Sequence, residues 1–409
     1  MAQPAAMPVG AAGVAVRQAS LREHNLALVL RHIATAAAPP SRADLAGITG
    51  LTRATVSALV DDLITGRLLG EVVRTPRSGA GRPALGLTLA GHGPAGLGLE
   101  INVDYLAAVL VDLAGVVRHR AVRRIDLRPV PPAEALALVA ELITEAGAEA
   151  DRQDLVLAGT ALAVPGLVSA TGVVRLAPNL GWRDVDVPAL LGGHPALRGR
   201  GLSVDNEANL AALGELHAAP PGPANFIYIS GEVGIGAGIV LHGTLFRGAR
   251  GWSGELGHVP VHPEGRPCRC GGLGCLEQYA GQEAMLAGAG LTDEPTPLAG
   301  LIEAAGRGEP AARRALVEAA TALGVAIAGV INLLDVDTVV LGGVYAPLAG
   351  WLAPPVEAEI RRRVLTAAWS PVTVRPALLG GDAAAVGAAG SVVRTVLEQP
   401  AQWLARPVH

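Results

Sequence analysis

This sequence predicts an α/β protein in three parts: a small helical head closed by a two-stranded wing, then two lobes of mixed strands and helices. Three observations carry that expectation. The first 90 residues hold three short helical patterns and a hairpin pattern, a strand and helix series occupies residues 97–164, and a similar series runs from Phe226 to a strand at Thr338–Leu341. The repetition suggests two related lobes with a cleft between them; a single larger α/β domain would show the same pattern. At 409 residues the chain has the length for two or three domains.

In the head, residues 1–18 are rich in Ala, Pro and Gly and are expected to form a disordered tail. Leu26, Val29, Leu30 and Ile33 then recur at helical spacing until Ala38-Pro39-Pro40 stops the helix. Ser41 can cap a second helix over Arg42–Ile48, Gly50 supplies a tight turn, and Thr52 can cap a third over Arg53–Ile64 with Val56, Leu59, Val60 and Leu63 on its buried face. Two capped helices about a glycine turn make a helix-turn-helix. Strands over Glu71–Thr75 and Leu85–Leu89, around a Gly/Arg loop at residues 76–83, add the wing.

Gly/Pro punctuation at Gly91–Ala95 marks a hinge. Beyond it, Leu97–Ile101, Tyr105–Val111 and Val116–Ile125 read as antiparallel strands, Ala133–Ala146 as a helix with Gly147 just past its end, and Leu155–Val164 as a buried strand ending at Pro165-Gly166. The second series opens with Phe226–Ser230 and a hairpin turning at His242-Gly243, and passes through Ala-rich helices.

Composition excludes several classes. All 32 basic residues are Arg, so a Walker A loop, a protein-kinase nucleotide clamp and Schiff-base chemistry are ruled out. With 3% aromatic residues, a base-stacking surface for single strands is not expected. The net charge of -4 is unevenly spread, with nine Arg against five acids in residues 1–90, a basic head suited to a polyanion. Neither long apolar run, Ala322–Leu334 nor Thr338–Val356, gives about 20 uninterrupted apolar residues, so no membrane span is expected. No basic residue precedes Arg17, which argues against a secretory signal, and three cysteines within eight residues favour a thiol site in a reducing cytoplasm over a disulfide framework.

Those cysteines form the most specific pattern in the chain. His258, Cys268, Cys270 and Cys275 lie within 18 residues and offer the soft four-ligand set that tetrahedral zinc prefers; four protein ligands leave no open position, so the expected role is structural. Glu255 and Glu277 flank the loop, and Val204-Asp205-Asn206-Glu207-Ala208-Asn209 lies upstream. Gathered together, these carboxylates and amides could hydrogen-bond the hydroxyls of a sugar; Asp205 and Asn206 could equally cap the helix Ala208–His217. The glycines of residues 231–238 resemble a phosphate cradle but lead into a hairpin rather than a helix, so they do not make a dinucleotide fingerprint.

Together, Glu255-Leu256-Gly257-His258 and Cys268-Arg269-Cys270 through Cys275-Leu276-Glu277 resemble the zinc and sugar signature of the ROK family of repressors and sugar kinases. The resemblance covers about residues 19–396 and includes Val164-Pro165-Gly166, Ala177–Trp182, Gly248–Gly251 and Leu341-Gly342-Gly343. It implies two actin-like (ribonuclease H-like) lobes, one over 92–215 completed by a C-terminal helix at 383–409 and one over 216–382 carrying the zinc loop. It also implies an N-terminal winged helix over 19–91, a sugar or sugar phosphate in the cleft, and Gly166, Asn179, Asn206, Glu207, Glu255, His258 and Glu277 as its ligands.

This chain departs from the family's kinases at three places. Where those enzymes have Asp-x-Gly-Gly-Thr, whose amides receive nucleotide phosphates, it has Glu100-Ile101-Asn102-Val103-Asp104. Glu207 replaces the aspartate base and is one methylene longer, and Glu232-Val233-Gly234 replaces Gly-Thr-Gly. Three acids about a polyphosphate site oppose phosphoryl transfer, so the expectation is a regulator that has kept sugar binding and lost catalysis. The alternatives are a sugar kinase that also binds DNA and a winged helix used for protein docking.

For the head, Thr52, Arg53, Thr55 and Ser57 at the start of the third helix, with Arg77 and Arg82 in the wing, are the expected contacts to operator DNA; Arg53 could instead be a solvated surface charge. Two half-sites multiply the specificity of one small module, so a homodimer or homotetramer is expected.

Overall fold

The computed structural model describes residues 18–73, 85–218, 223–292 and 297–406. Its contacts divide the chain into two compact units: residues 1–90 with 395–409, and residues 91–394.

The first unit is the head. Helices α1 (Gln18–Ala34), α2 (Arg42–Thr49) and α3 (Arg53–Thr65) precede a two-stranded antiparallel sheet of β1 (Leu69–Val73) and β2 (Leu85–Leu89). Ser41 and Asp44 form a reciprocal capping box on α2, and Gly50 ends that helix in the left-handed conformation at φ 72°. Thr52 caps α3 by accepting from the Thr55 amide at 3.1 Å. Leu30, Leu45, Val56, Val60 and Leu63 are fully buried among these helices, as helical spacing dictates. Arg77 and Arg82 of the wing lie outside the described residues.

The second unit contains two five-stranded sheets with one topology. In the first lobe, β3 (Gly93–Ile101), β4 (Tyr105–Asp112) and β5 (Val117–Arg124) are antiparallel neighbours, and β6 (Leu155–Val164) follows α4 (Pro132–Arg152). A small sheet of β7 (Leu167–Val168), β8 (Val173–Ala177) and β9 (Trp182–Asp186) and the helix α5 (Val187–Leu191) come next, before β10 (Gly201–Asn206) and α6 (Glu207–Ala218). The second lobe repeats the scheme with β11 (Phe226–Gly231), β12 (Ile235–Leu241) and β13 (Thr244–Phe246). After them come helices α7 (Glu277–Ala280), α8 (Gln282–Ala289), α9 (Pro297–Arg307) and α10 (Pro310–Leu334), then β14 (Thr338–Gly343), α11 (Tyr345–Arg363) and β15 (Thr373–Pro376). The sheet orders are β10-β6-β3-β4-β5 and β13-β12-β11-β14-β15, the same winding twice, with parallel pairing at β3–β6–β10 and β11–β14–β15. This duplication gives the two related lobes that the sequence repetition suggested, in the actin-like architecture that the family resemblance implied.

Several local readings need correction. Gly93–Ala95, read as hinge, are the first buried residues of β3, because Pro94 and Ala95 pair in register with β6. Gly147 does not terminate α4: Ala146 and Ala150 continue its buried stripe to Arg152. α10 is long and apolar enough to cross a membrane by length and composition, and Leu316, Leu323, Ile327 and Ile331 bury it in the core of the second lobe.

The C-terminal segment also divides differently from the expected 383–409 helix. α12 (Ala383–Glu398) is followed by a separate short helix, α13 (Pro400–Leu404). At residues 383–394 the chain packs tightly on the first lobe: a Cβ on Gly98 of β3 would lie 1.9 Å from the Ala385 carbonyl oxygen. Residues 395–409 cluster with the head instead, where the Trp403 indole donates to the Gly66 carbonyl at 2.9 Å.

Candidate functional site

The parallel strands β6 and β10 end side by side, with Val164 paired to Asn206, and their carboxyl ends open on a cavity of about 300 Å3. Crevices at the carboxyl ends of parallel strands are where open α/β sheets place ligands. Gly166, Asn179, Asn206, Glu207, Glu255, His258 and Glu277, all expected from the sequence to meet a sugar, line this one cavity.

Asn206 organises the first-lobe side. Its Oδ1 accepts from the Ala208 and Asn209 amides at 2.9 and 3.2 Å, capping α6, while its Nδ2 donates to the Gly166 carbonyl at 3.1 Å and to Glu207 Oε2 at 3.0 Å. Capping and cavity lining therefore coincide in one residue. Asp205, beside it, does not line the cavity and accepts from the Asn206 amide and from Asn209 Nδ2 at 2.8 and 3.2 Å.

The second lobe contributes the turn Glu232–Gly234 between β11 and β12, the helical turn Leu256–His258, and Glu277 at the start of α7. A Cβ at Gly234 would come within 2.7 Å of Glu277 Oε2 and 3.0 Å of Asn179 Nδ2, so any larger residue there would displace the ends of both side chains. Burial raises the Glu255 and Glu277 carboxyls above the ordinary carboxylate range, His258 opposing the shift in both. Glu207 is raised well above it by burial and then by the charges of Glu255, Glu100 and Glu232.

His258, Cys268, Cys270 and Cys275 place their ligand atoms within 4.8 Å of one another. Cys270 and Cys275 sulfurs lie 3.7 Å apart, far beyond a disulfide but close to the edge of about 3.8 Å that a tetrahedron with 2.3 Å metal–sulfur bonds requires. Burial and the neighbouring thiols push Cys275 up to about 12, whereas the Gly272 amide lowers Cys270. The four residues fit a metal ion. His258 turns Nδ1 toward Cys268 at 3.8 Å, which leaves its Nε2 for the cavity that it lines.

Asn102 and Val103, expected from the resemblance to replace the kinase glycines, are both buried at 5% and 3% exposure. Asn102 Oδ1 takes the Val103 amide at 2.6 Å, and the Asn102 amide is spent on the Tyr105 carbonyl at 2.9 Å. Glu232 lines both this cavity and a second one of about 730 Å3, whose walls include Asp104, Tyr105, Gly343 and Asp382. Burial, with the charges of Glu100 and Asp104 adding to it, raises Glu232 to about 8. Burial raises Glu100 to about 7 although the Tyr105 hydroxyl donates to it at 2.7 Å.

Sequence reading passed over Arg269 and Ser230, which also line the main cavity. Arg269 sits between two cysteines of the four-residue His/Cys cluster, and its guanidinium is bound to Glu283 at 3.0 Å. In the head, Arg53 is exposed and has no ion-pair partner among the described residues, Thr55 and Ser57 are half-buried, and Thr52 is bonded to Thr55. Asp61 and Asp62, farther along α3, pair with Arg42 and Arg22.

The xylose repressor of Bacillus spizizenii is 27% identical over 385 residues, which is 93% of this chain and 98% of that protein. A glucokinase of Streptomyces coelicolor is 30% identical over 318 residues, 72% of this chain and 97% of its own length. Among solved structures, a ROK family transcriptional regulator described as a homologue of the E. coli Mlc protein superposes with a TM-score of 0.77, at 27% identity over 94% of this chain and all of that one. A ROK family glucokinase from Streptomyces griseus with glucose and AMPPNP gives 0.62, at 29% identity over 73% of this chain and 98% of that one. Residues 96–394 match the ROK family profile, so the chain belongs to the ROK family.

Proposed function

We propose that this chain is a sugar-responsive transcriptional repressor: the head binds operator DNA, a sugar or sugar derivative enters the cavity between the lobes, and occupancy lowers operator affinity. The observation that carries this reading is the head. It lies outside the matched family segment and has the helix order, caps and buried face of a helix-turn-helix. D-xylose is the first effector to test, since relatives over nearly the whole chain are named for it.

The same reading holds that sugar phosphorylation is lost. Two amides that a phosphate would need, at 102 and 103, are consumed inside the turn, and Asp104, Glu232 and Asp382 line the space beside it. Phosphoryl transfer depends on neutralising charge, and against these acids the same space offers one basic side chain, Arg124. Glu207 then serves as a hydroxyl acceptor, held in place by Asn206.

Zinc is the metal that three thiols and an imidazole favour. His258, Cys268, Cys270 and Cys275 would hold it, fixing the segment that carries Glu255 and Glu277; bound zinc supplies structure and no open coordination position. A reducing cytoplasm suits these thiols, and a homodimer or homotetramer would let two heads read paired half-sites.

The test is operator binding by fluorescence anisotropy with and without a panel of free and phosphorylated sugars, beside a coupled ATP-dependent phosphorylation assay. Release of DNA by a sugar that is not phosphorylated supports the reading. Sugar binding that leaves operator affinity unchanged, or ATP-dependent turnover of the sugar, overturns it.

A further inference from the structure

Asp205 and Arg247 are joined by an ion pair at 2.6 Å, and neither residue lines the sugar cavity. Both Asp205 oxygens are engaged: one takes the Asn206 amide and the Asn209 side chain, and the other takes Arg247. Its side chain is 15% exposed, against 49% for Arg247.

Arg247 directly follows β13 and opens the loop that returns at Gly254. The base of that loop is closed on itself. Ser253 donates through its amide to the Arg247 carbonyl at 3.3 Å and through its hydroxyl to the Phe246 carbonyl at 2.6 Å, and the Gly254 carbonyl accepts from Ala237 of β12 at 2.8 Å. Glu255 is the next residue, followed by the turn to His258. The ion pair therefore joins the base of the loop leading into Glu255 and His258 to the strand end that carries Asn206 and Glu207.

We infer that Arg247 is a positioning residue of the sugar site: by holding Asp205 it fixes the spacing between Asn206 and Glu207 on one side and Glu255 and His258 on the other, and so sets sugar affinity without touching the sugar. This rests on the reading that the cavity takes a sugar. A network that fixes several hydrogen-bonding groups in advance removes their ordering cost from the binding step. Because Arg247 is half exposed, the pair is open to screening by salt, whereas purely structural damage is not relieved or mimicked by salt.

The experiment is calorimetric titration of D-xylose, then of whichever sugar in the panel raises the melting temperature most, into the full-length protein and its Arg247→Gln and Arg247→Lys variants at low and high sodium chloride. Sugar affinity is expected to fall roughly fivefold in Arg247→Gln. The Lys variant should recover most of it, since an ammonium can reach the Asp205 oxygen that Arg247 Nη2 meets. High salt should weaken the wild type and Arg247→Lys and leave Arg247→Gln unchanged. Wild-type affinity and salt dependence in Arg247→Gln, or no recovery with lysine, overturns the inference while leaving the sugar site standing. If no sugar binds the wild type, the functional reading itself fails and the inference with it.

Discussion

Asn206 and Glu207 are hydrogen-bonded to each other through adjacent side chains, Nδ2 to Oε2 at 3.0 Å, at the point where β10 becomes α6. The same amide group reaches the Gly166 carbonyl at 3.1 Å, so Asn206 links the ends of β6 and β10 through one side chain. Its carbonyl oxygen caps α6 and its nitrogen holds Glu207, two roles that substitutions can separate.

Asn206→Ala should cost about 1 kcal/mol through the lost cap, and should also abolish measurable sugar binding. Asn206→Asp keeps a capping oxygen and loses the amide donor, so it should retain stability and lose sugar affinity. Urea unfolding and titration calorimetry on both variants check this; equal stability losses in the two would count against the division of roles.

Removal of the zinc proposed for His258, Cys268, Cys270 and Cys275 should loosen the segment that carries Glu255, His258 and Glu277. Dialysis against a chelator, or Cys275→Ser, is expected to lower unfolding free energy by on the order of 3 kcal/mol and to weaken sugar binding in parallel. Metal content by plasma emission, followed with differential scanning calorimetry, tests it. A chelated protein with unchanged melting and one full equivalent of metal lost would argue against a structural ion.

Glu100 and Glu232, raised from 4.5 to about 7 and about 8, make stability depend on pH. Between pH 4.5 and those values the folded state holds protons that the unfolded chain has released, so stability falls as pH rises through that window. Glu232→Gln removes one of the two charges without changing the side chain's size. It should flatten the decline and add on the order of 4 kcal/mol at pH 8, measured by urea unfolding across a pH series. A variant whose stability still falls as steeply as the wild type's would show that Glu232 is not the group responsible.

On the head, Arg53→Ala should weaken operator binding by about 1–2 kcal/mol. If Arg53 meets a phosphate, the slope of log affinity against log salt should fall by roughly one; if it reads a guanine, the slope holds and sequence preference relaxes. Anisotropy titrations at several salt concentrations on specific and scrambled duplexes separate the two. Affinity unchanged on both duplexes would leave Arg53 as a solvated charge.

Trp403 is the sole tryptophan of the head unit, and its indole donates to Gly66 just after α3. Trp403→Phe should cost the head about 1 kcal/mol. Amide exchange at Leu30 and Leu63, both fully buried, would report it; protection equal to wild type would mean that the C-terminal residues add nothing to the head.

Local chemistry made much of this protein legible from its sequence. The breakers at Pro39-Pro40 and Gly50, the caps at Ser41 and Thr52 and the helical spacing of Val56, Leu59, Val60 and Leu63 act within a few residues of themselves, and the head forms where they place it. The cysteine spacing is similarly short-range, so the four-ligand cluster could be named before any fold was known. Boundaries decided by packing were harder to read: Gly147 and Gly93–Ala95 are breakers by type, yet the buried stripe of α4 and the pairing of β3 with β6 overrule them.

What the sequence by itself determined is which side chains could serve a sugar, a metal or DNA. Tertiary structure alone decided that the seven expected sugar contacts share one cavity, that the amides of Asn102 and Val103 are used up within their own turn, that residues 395–406 belong with the head, and that Asp205 holds Arg247 rather than lining the cavity. The reason is distance along the chain. A cap or a cysteine pair is closed by neighbours whose order the sequence states directly, whereas Trp403 on Gly66 and Gly98 under Ala385 join residues hundreds of positions apart, and only the packed chain selects those partners.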